Sequence, residues 1–375
     1  MENTQNLTEG NILGSLVRFA VPVLLSLFLQ ALYGGVDLLV VGQFASTADV
    51  SGVATGSMLL QTMTMIVTGL AMGITVVVGE RIGRREPVQA GRAIGSGICL
   101  FGVCAVFLTA VMAGGAEPLS VLMHAPEEAL SQTAAYVRIC GAGSVFIVAY
   151  NVLGAVFRGI GDSKTPLFTV AVACVINIAG DLLLVAGFHM GAAGAALATV
   201  AAQAISVLLS FGLIRKKTLP FVFSREFIRF DRRYVVLELK IGIPVALQEF
   251  LVGISFLVIQ MIVNSFGVVF SAGVGVGEKV CSFIMLVPSA YMQSMSAFVA
   301  QNMGAGNTGR AKRALGCGIA TSLAAGVVMG YLSFFHGDML ASIFSKDAAV
   351  IEAAHSYLKA YAIDCLLTPF LFCFT

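Results

Sequence analysis

The stretch at residues 77–97, VVGERIGRREPVQAGRAIGSG, aligns without a gap with residues 298–318, FVAQNMGAGNTGRAKRALGCG. Seven of the 21 aligned positions are identical, and glycine and arginine dominate them, so shared apolarity does not account for the match. Val77 thus corresponds to Phe298, and an offset greater by one position aligns Pro22 with Pro244. Internal repeats reveal architecture, and this one predicts two structurally similar halves.

The composition on either side of this repeat is that of a membrane protein. Hydrophobic residues make up 58% of the 375 residues, charged residues make up 11%, and the mean hydropathy is +0.93. A soluble domain has about 45–50% apolar and about 25% charged residues. Because the apolar stretches run for about 20 residues, we predict an all-α polytopic membrane protein. Ten spans are predicted, at residues 14–41, 50–79, 93–115, 134–157, 166–188, 191–214, 241–266, 271–300, 314–335 and 351–375.

The basic residues alternate between loops. The loops after spans two, four, six and eight hold 17 of the 22 lysines and arginines, whereas those after the odd-numbered spans hold only Lys346. The positive-inside rule then predicts a cytoplasmic N-terminus and cytoplasmic even-numbered loops. The net charge of +2 provides no basic surface for nucleic acid, so the predicted surroundings are a lipid bilayer.

Each repeat contains six spans, an even number, so the two units are predicted to share one orientation as a parallel repeat. We predict an N-terminal six-helix lobe at residues 1–214, a cytoplasmic linker at 215–240 and a C-terminal lobe at 241–375. By the repeat offset, Thr375 corresponds to Gly154 in the middle of the fourth span. The expectation is a truncated twelve-helix protein with ten helices present, and the alternative is a ten-helix protein.

Ionisable residues inside spans are the default functional candidates, because burying a charge at mid-bilayer costs at least about 2.5–3.5 kcal/mol. At about 1.5 Å per residue, Asp37 lies roughly 7–8 Å below the outer end of span one, and Asp181 lies roughly 12 Å below that of span five. Asn177 precedes Asp181 by four residues and shares its helix face. These three residues are the candidate cation or proton site. The alternative is that they only tie helices together, although Ile259 is the repeat partner of Asp37.

Several strings resemble the multidrug and toxic compound extrusion (MATE) transporters, on the bacterial branch related to DNA-damage-inducible F. They are LTEGNILGSLVRFAVPVLLSLFLQALYGGVDLLVVGQF at residues 7–44, VFRGIGDSKTP at 156–166, INIAGDLLLV at 176–185 and GAAGAALAT at 191–199. The resemblance implies cation-coupled antiport of amphipathic, often cationic compounds through two six-helix lobes around a central cavity. It also implies a cation or proton site on an aspartate of span one and an Asn/Asp pair of span five, which match Asp37, Asn177 and Asp181.

The same resemblance bears on the second half. One subgroup of the family has a cation-binding glutamate in its seventh helix, and the matching position here is Val252, with Glu249 one turn earlier. The resemblance places a cavity-facing basic residue where Lys279 falls, and the alternative is that Lys279 neutralises a carboxylate across the cavity. Glu249 beside Gln248 is a further candidate for lining a cavity that accepts cations.

The remaining motifs are weaker evidence for catalysis or for binding of a nucleotide or a metal. GIGD at residues 159–162 is predicted to be a glycine-permitted turn whose Asp162 stays in the aqueous interface, and GVGVGEK at 273–279 lacks the ending of a phosphate-binding loop. The cysteines and histidines are scattered without metal-ligand spacing. We therefore expect no catalytic residues, no metal and no cofactor beyond the coupling ion, which makes an enzyme the disfavoured class.

The sequence thus predicts a secondary active multidrug exporter, coupled to H⁺ or Na⁺. We expect a monomer in the bacterial plasma membrane that takes small amphipathic or cationic substrates. Two alternatives stay open. One is a flippase for a lipid-linked oligosaccharide precursor, which would need a strongly basic cavity, and the other is an inactive truncated transporter.

Overall fold

The protein is described by a computed structural model that covers residues 6–374 apart from the side chains of Leu257, Asn264 and Val268. Within that part of the chain the secondary structure is helical and contains no strand. The α-helices are α1 (Ile12–Phe44), α2 (Thr47–Gly83), α3 (Pro87–Gly114), α4 (Ala116–Leu122), α5 (Leu130–Ala142), α6 (Ser144–Gly159), α7 (Lys164–Asp181), α8 (Gly191–Lys216), α9 (Arg232–Asn264), α10 (Val268–Ile284), α11 (Leu286–Gly304), α12 (Thr308–Phe335), α13 (Gly337–Ser342) and α14 (Ala348–Phe374).

The described helices provide ten segments that are long and apolar enough to cross a membrane, when one bent pair is counted as a single span. This confirms the predicted all-α membrane fold and its ten spans. The bent pair is the fourth span, where the helical segment that ends with α5 meets α6 at an angle of 54°. Span eight is also interrupted, between α10 and α11. Pro288 lies in the first turn of α11 and has no N–H to donate to Ile284, which accounts for a break at this point.

Helix boundaries repeat along the chain. The offset that aligns Val77 with Phe298 carries the two ends of α2 onto the first residue of α10 and the last residue of α11. It also carries both ends of α3 onto those of α12, and the start of the short helix α4 onto the start of α13. The offset read from the sequence therefore reappears in the secondary structure.

The segment between the sixth and seventh spans differs in part from the prediction. Helix α8 ends at Lys216, and the only regular element in residues 217–231 is one 3₁₀ turn, Arg225–Phe227. Residues 232–240, predicted as linker, instead form the first turns of α9. Asp231 caps this helix by accepting a hydrogen bond from the backbone N–H of Arg233 at 3.0 Å. A polar helix start of this kind escapes a hydropathy window, because its charged residues lower the average.

The loops at residues 84–86, 160–163, 217–231 and 305–307 lie at one end of the bundle, called the basic end below. Here α2 and α11 cross at backbone contact. A methyl group on Gly83 would collide with the carbonyl oxygen of Gln301, and one on Gly304 would collide with that of Glu80. The Gln301 amide also donates to the carbonyl of Gly159 at 2.8 Å. The two halves are thus in direct contact at this end.

Two segments outside the α-helices fasten the basic end. The N-terminal strap, residues 7–10, lies on the second half, where Asn302 Nδ2 donates to the carbonyl of Leu7 at 3.1 Å. The Arg310 guanidinium donates to three carbonyls of this strap, at 2.6–3.3 Å. The linker strap, residues 222–231, lies on the first half, where the N–H of Val222 donates to the carbonyl of Pro87 at 3.1 Å. Each strap therefore precedes the first helix of one half and is bound to the other half.

Candidate functional site

The three residues predicted to form a cation or proton site lie together. Asp37 of α1 is 3% exposed, and Asn177 and Asp181 of α7 are fully buried. Thr199 of α8 joins them: its hydroxyl donates to Asp37 Oδ2 at 3.3 Å and accepts from Asn177 Nδ2 at 3.4 Å. Asp37 and Asp181 lie near enough to each other to interact electrostatically when ionised. These four residues are called the carboxylate pocket.

The carboxylate pocket is rich in acceptors and poor in donors. Among the described residues, neither carboxylate oxygen of Asp181 receives a hydrogen bond from a protein donor, and neither does Oδ1 of Asp37 or of Asn177. Two ionised carboxylates in contact repel each other, and a shared proton or a bound cation removes the repulsion. The pocket therefore has the chemistry of a site that binds positive charge.

Local sequence explains how α7 and α8 build this pocket. Asn177 and Asp181 are four residues apart and share one helix face. Immediately after Asp181 the chain continues as a π-helical turn, Leu182–Gly187, and such turns occur frequently at functional sites. Gly180 faces Ala198 so closely that a methyl group on the glycine would come within 2.9 Å of the alanine Cβ. The small residues of α8 thus bring Thr199 to the carboxylates.

A cavity that is partly open to solvent lies between α1, α2, α6 and α11 and the start of α7. Within it the Thr68 hydroxyl donates to Asn151 Oδ1 at 2.9 Å, and the Ser26 hydroxyl donates to the carbonyl of Pro22 at 2.7 Å. The polar lining residues are Ser26, Gln30, Thr68, Tyr150, Asn151, Arg158, Ser163 and Gln293.

A polar stripe on α1 leads from this cavity to the carboxylate pocket. Gln30, Tyr33 and Asp37 follow each other at spacings of three and four residues, which places them on one helix face. The Tyr33 hydroxyl accepts a hydrogen bond from Gln203 Nε2 at 3.2 Å. Asp37 of the carboxylate pocket and Gln30 of the cavity lining therefore belong to one face of one helix.

The residues predicted to line a substrate cavity lie on α9 and α10. Lys279 of α10 is exposed, and it forms no ion pair within residues 6–374. Gln248 and Glu249 of α9 are half-buried. None of the three lines the cavity described above. Arg158, Asn151 and Gln293 were not predicted, because Arg158 falls in a predicted loop and uncharged polar residues were considered only beside candidate acids. A search for all uncharged polar residues in spans would have found Asn151 and Gln293.

Asp162 differs from the sequence prediction. It was expected in the aqueous interface, but it is fully buried. Its carboxylate accepts hydrogen bonds from the N–H groups of Lys164 and Thr165 and forms an ion pair with Lys217 at 2.8 Å. The preceding Gly161 has φ +85°, so the glycine-permitted turn is confirmed. Asp162 thus caps α7 and fastens it to the residue that follows α8.

Comparison with known proteins gives one consistent family. The MatE family model matches residues 22–183 and 244–375. The chain is 27% identical over 362 residues to the "Probable multidrug resistance protein YoeA" of Bacillus subtilis, covering 95% of the chain and 78% of that protein. It is 30% identical over 311 residues to the "Probable multidrug resistance protein YpnP" of the same organism, covering 81% and 68%.

A solved structure has the same fold. It is an outward-facing conformation of a multidrug resistance MATE family transporter of the MOP superfamily, with a TM-score of 0.91 and 20% sequence identity. The match covers 99% of the chain and 83% of that structure. At this identity the likeness establishes the fold.

Proposed function

The chain belongs to the MatE family, and from this premise we propose that it is a secondary active exporter that exchanges H⁺ or Na⁺ for amphipathic, often cationic compounds. Its relatives are named multidrug resistance proteins, which supports a drug-like cargo. The proposal places it in a bacterial plasma membrane, with the basic end towards the cytoplasm, as a monomer.

The observation that carries this proposal is the carboxylate pocket. Two acids, Asp37 and Asp181, are buried side by side, and no basic side chain among the described residues pairs with either. An ionised carboxylate without a partner is very costly to bury, so such groups are neutralised or bind a cation. Buried acids in a membrane span are the usual mark of a proton or ion pathway.

Coupling follows from the polar stripe on α1. Binding of positive charge at Asp37 changes the balance of hydrogen bonds around Thr199 and Tyr33, and α1 transmits the change to the cavity lining at Gln30 and Ser26. Pro22 begins this part of α1 and lacks the N–H that would hold the preceding turn, so the helix has a natural bending point. Charge uptake in the pocket and cargo release from the cavity are then two effects of one helix movement.

Of the two ions, we propose H⁺. The pocket offers two carboxylates, one amide and one hydroxyl, which is a sparse ligand set for a metal ion that prefers oxygen coordination from all sides. A proton needs only the two carboxylates.

The test is efflux of a cationic dye from vesicles under an imposed pH or Na⁺ gradient, using the full-length protein. Asp37→Asn mimics the protonated acid, so the protein should insert and fold while coupled efflux is lost. Asp338→Asn is the matched control, because Asp338 is an exposed acid in α13, remote from the pocket. If Asp37→Asn transported at the unmodified rate under every gradient, the coupling role of the pocket would be wrong.

A further inference from the structure

A second buried acid lies outside the carboxylate pocket, near the basic end. Glu238 of α9 is 1% exposed and packs against α2 and α3. A methyl group on Gly73 of α2 would collide with the backbone carbonyl of Glu238, and one on Gly97 of α3 would come within 3.5 Å of Glu238 Oε1. The carboxyl group therefore fills a space between three helices that belong to different halves of the chain.

Nothing among the described residues neutralises this acid. Both of its carboxylate oxygens are buried without a hydrogen-bond donor. On α2, Arg81 pairs with Glu86 at 3.0 Å and lies over the ring of Tyr234; on α3, Arg92 lies over the ring of Phe227. On α9 near Glu238, Tyr234 donates to Gln89, and three basic residues are exposed, namely Arg232, Arg233 and Lys240. In the linker strap Asp231 caps the helix, and the other charged residues, Arg225, Glu226 and Arg229, are exposed.

The equivalent position in the first half shows that packing does not require an acid. The offset that aligns Pro22 with Pro244 aligns Leu16 with Glu238. Leu16 is fully buried and belongs to one apolar cluster with Met295 and Phe298. An apolar side chain therefore suffices at the matching position of the repeat, and the carboxyl group of Glu238 needs another explanation.

We propose that Glu238 is a second proton-binding site, neutral while α9 packs against α2 and α3 and ionised when these helices separate and admit water at the basic end. An isolated ionised carboxylate is too costly to bury, so closing this interface takes up one proton. That the basic end opens to the cytoplasm rests on the proposed function. The binding of a proton by Glu238 in the closed form does not depend on that function.

The pH dependence has a definite sign. Closing binds a proton and opening releases it, so a lower pH stabilises the closed form and a higher pH favours the open form. For one linked proton the ratio of open to closed molecules changes by up to tenfold per pH unit. In an exporter oriented as proposed, the proton would leave on the cytoplasmic side, after the carboxylate pocket has taken up its own from the other side.

The first experiment detects the proton directly. Infrared spectra of the purified protein at neutral pH are compared between the wild type and Glu238→Gln. This substitution replaces the carboxyl group by a carboxamide of nearly the same size. We expect the wild type to show the carbonyl band of a protonated carboxylic acid that Glu238→Gln lacks, and Asp37→Asn to retain it. A wild-type spectrum in which the difference lies only in the carboxylate bands would overturn the proposal.

The second experiment measures the linkage. Distances between spin labels at Arg85→Cys and Asn307→Cys, on either side of the α2–α11 crossing, are measured over a range of pH after replacement of the native cysteines. The open fraction should rise with pH in the wild type and stay constant in both Glu238→Gln and Glu238→Leu, the latter copying the repeat partner. An unchanged pH response in the two variants would refute the linkage.

The two proposals fail in different ways. If dye efflux is absent while the infrared band of Glu238 is present, the exporter function is wrong and the proton site stands. If coupled efflux is present and the band is absent, the exporter function stands and the proton site at Glu238 is wrong.

Discussion

Gly83 and Gly304 occupy equivalent positions in the two halves of the chain, and each faces a backbone carbonyl of the other half. The carbonyls belong to Gln301 and Glu80, which are themselves equivalent under the same repeat. The crossing of α2 and α11 is therefore reciprocal. Because backbone atoms cannot move aside as a flexible side chain can, only glycine allows this approach on either helix.

Replacing either glycine should open the basic end. Gly83→Ala or Gly304→Ala introduces a methyl group where a carbonyl oxygen already lies, and overpacking of this kind costs about 1–3 kcal/mol. The ratio of open to closed molecules should then rise about 5- to 150-fold. Spin-label distances between Arg85→Cys and Asn307→Cys would report the change. Gly309→Ala is the control, since a methyl group there meets nothing within 4 Å; equal effects at all three positions would contradict the reciprocal contact.

The hydroxyl of Thr199 should matter for coupling. Thr199→Val keeps the shape of the side chain but removes the donor to Asp37 and the acceptor for Asn177, so coupled dye efflux should fall several-fold without disappearing. Asp181→Asn should weaken efflux more strongly, because it removes one of the two acids. Thr133→Val serves as control, because the buried Thr133 hydroxyl donates only to the carbonyl of Ala129 in its own turn. A fall of the same size in the control would assign the effect to packing.

Charge in the cavity should set the preference among substrates. Arg158 lines the cavity and Lys279 does not. Removing the positive charge by Arg158→Gln should tighten binding of a cationic dye by roughly fivefold, since unit charges about 4 Å apart in water interact by about 1 kcal/mol. Lys279→Gln should leave the dissociation constant unchanged. Fluorescence titration of the purified proteins measures both, and the opposite ranking would move the substrate site towards α10.

Orientation in the membrane can be tested on the two ends of the bundle. In intact cells, an impermeant thiol reagent should modify Glu127→Cys, before α5, and leave Arg229→Cys in the linker strap unmodified, after the native cysteines have been replaced. Both positions are exposed, so accessibility does not favour one of them. Permeabilised cells should show labelling at both positions. Modification of Arg229→Cys from outside would reverse the predicted topology.

The carboxylate pocket could be predicted because it depends on few signals. Acids inside apolar spans are rare, and a spacing of four residues places Asn177 and Asp181 on one face without knowledge of the fold. The contribution of Thr199 could not be predicted, because it depends on how closely α8 packs against α7. Glu238 was hidden for another reason: its neighbours Arg232, Arg233 and Lys240 gave the segment the composition of a loop, although it is helical.

The cavity was the least predictable feature. Its lining comes from five helices, and Arg158 is assigned to a loop end by hydropathy but faces the cavity in the folded protein. Lys279 lies in a span and is exposed, and its cavity-facing position stays a prediction. Which face of a helix meets a cavity depends on tertiary packing, and a single sequence does not contain that information in a local pattern.

Each strap is bound by the half of the chain to which it does not belong, and this affects the order in which the contacts form during synthesis. The linker strap binds α3, which has already been synthesised when the strap emerges from the ribosome. The N-terminal strap must wait for Arg310, which lies 303 residues after Leu7. At about 5–20 residues per second this delay is about 15–60 s. During that interval the N-terminal strap lacks its binding partners, so it can dock only after the start of α12 has been synthesised.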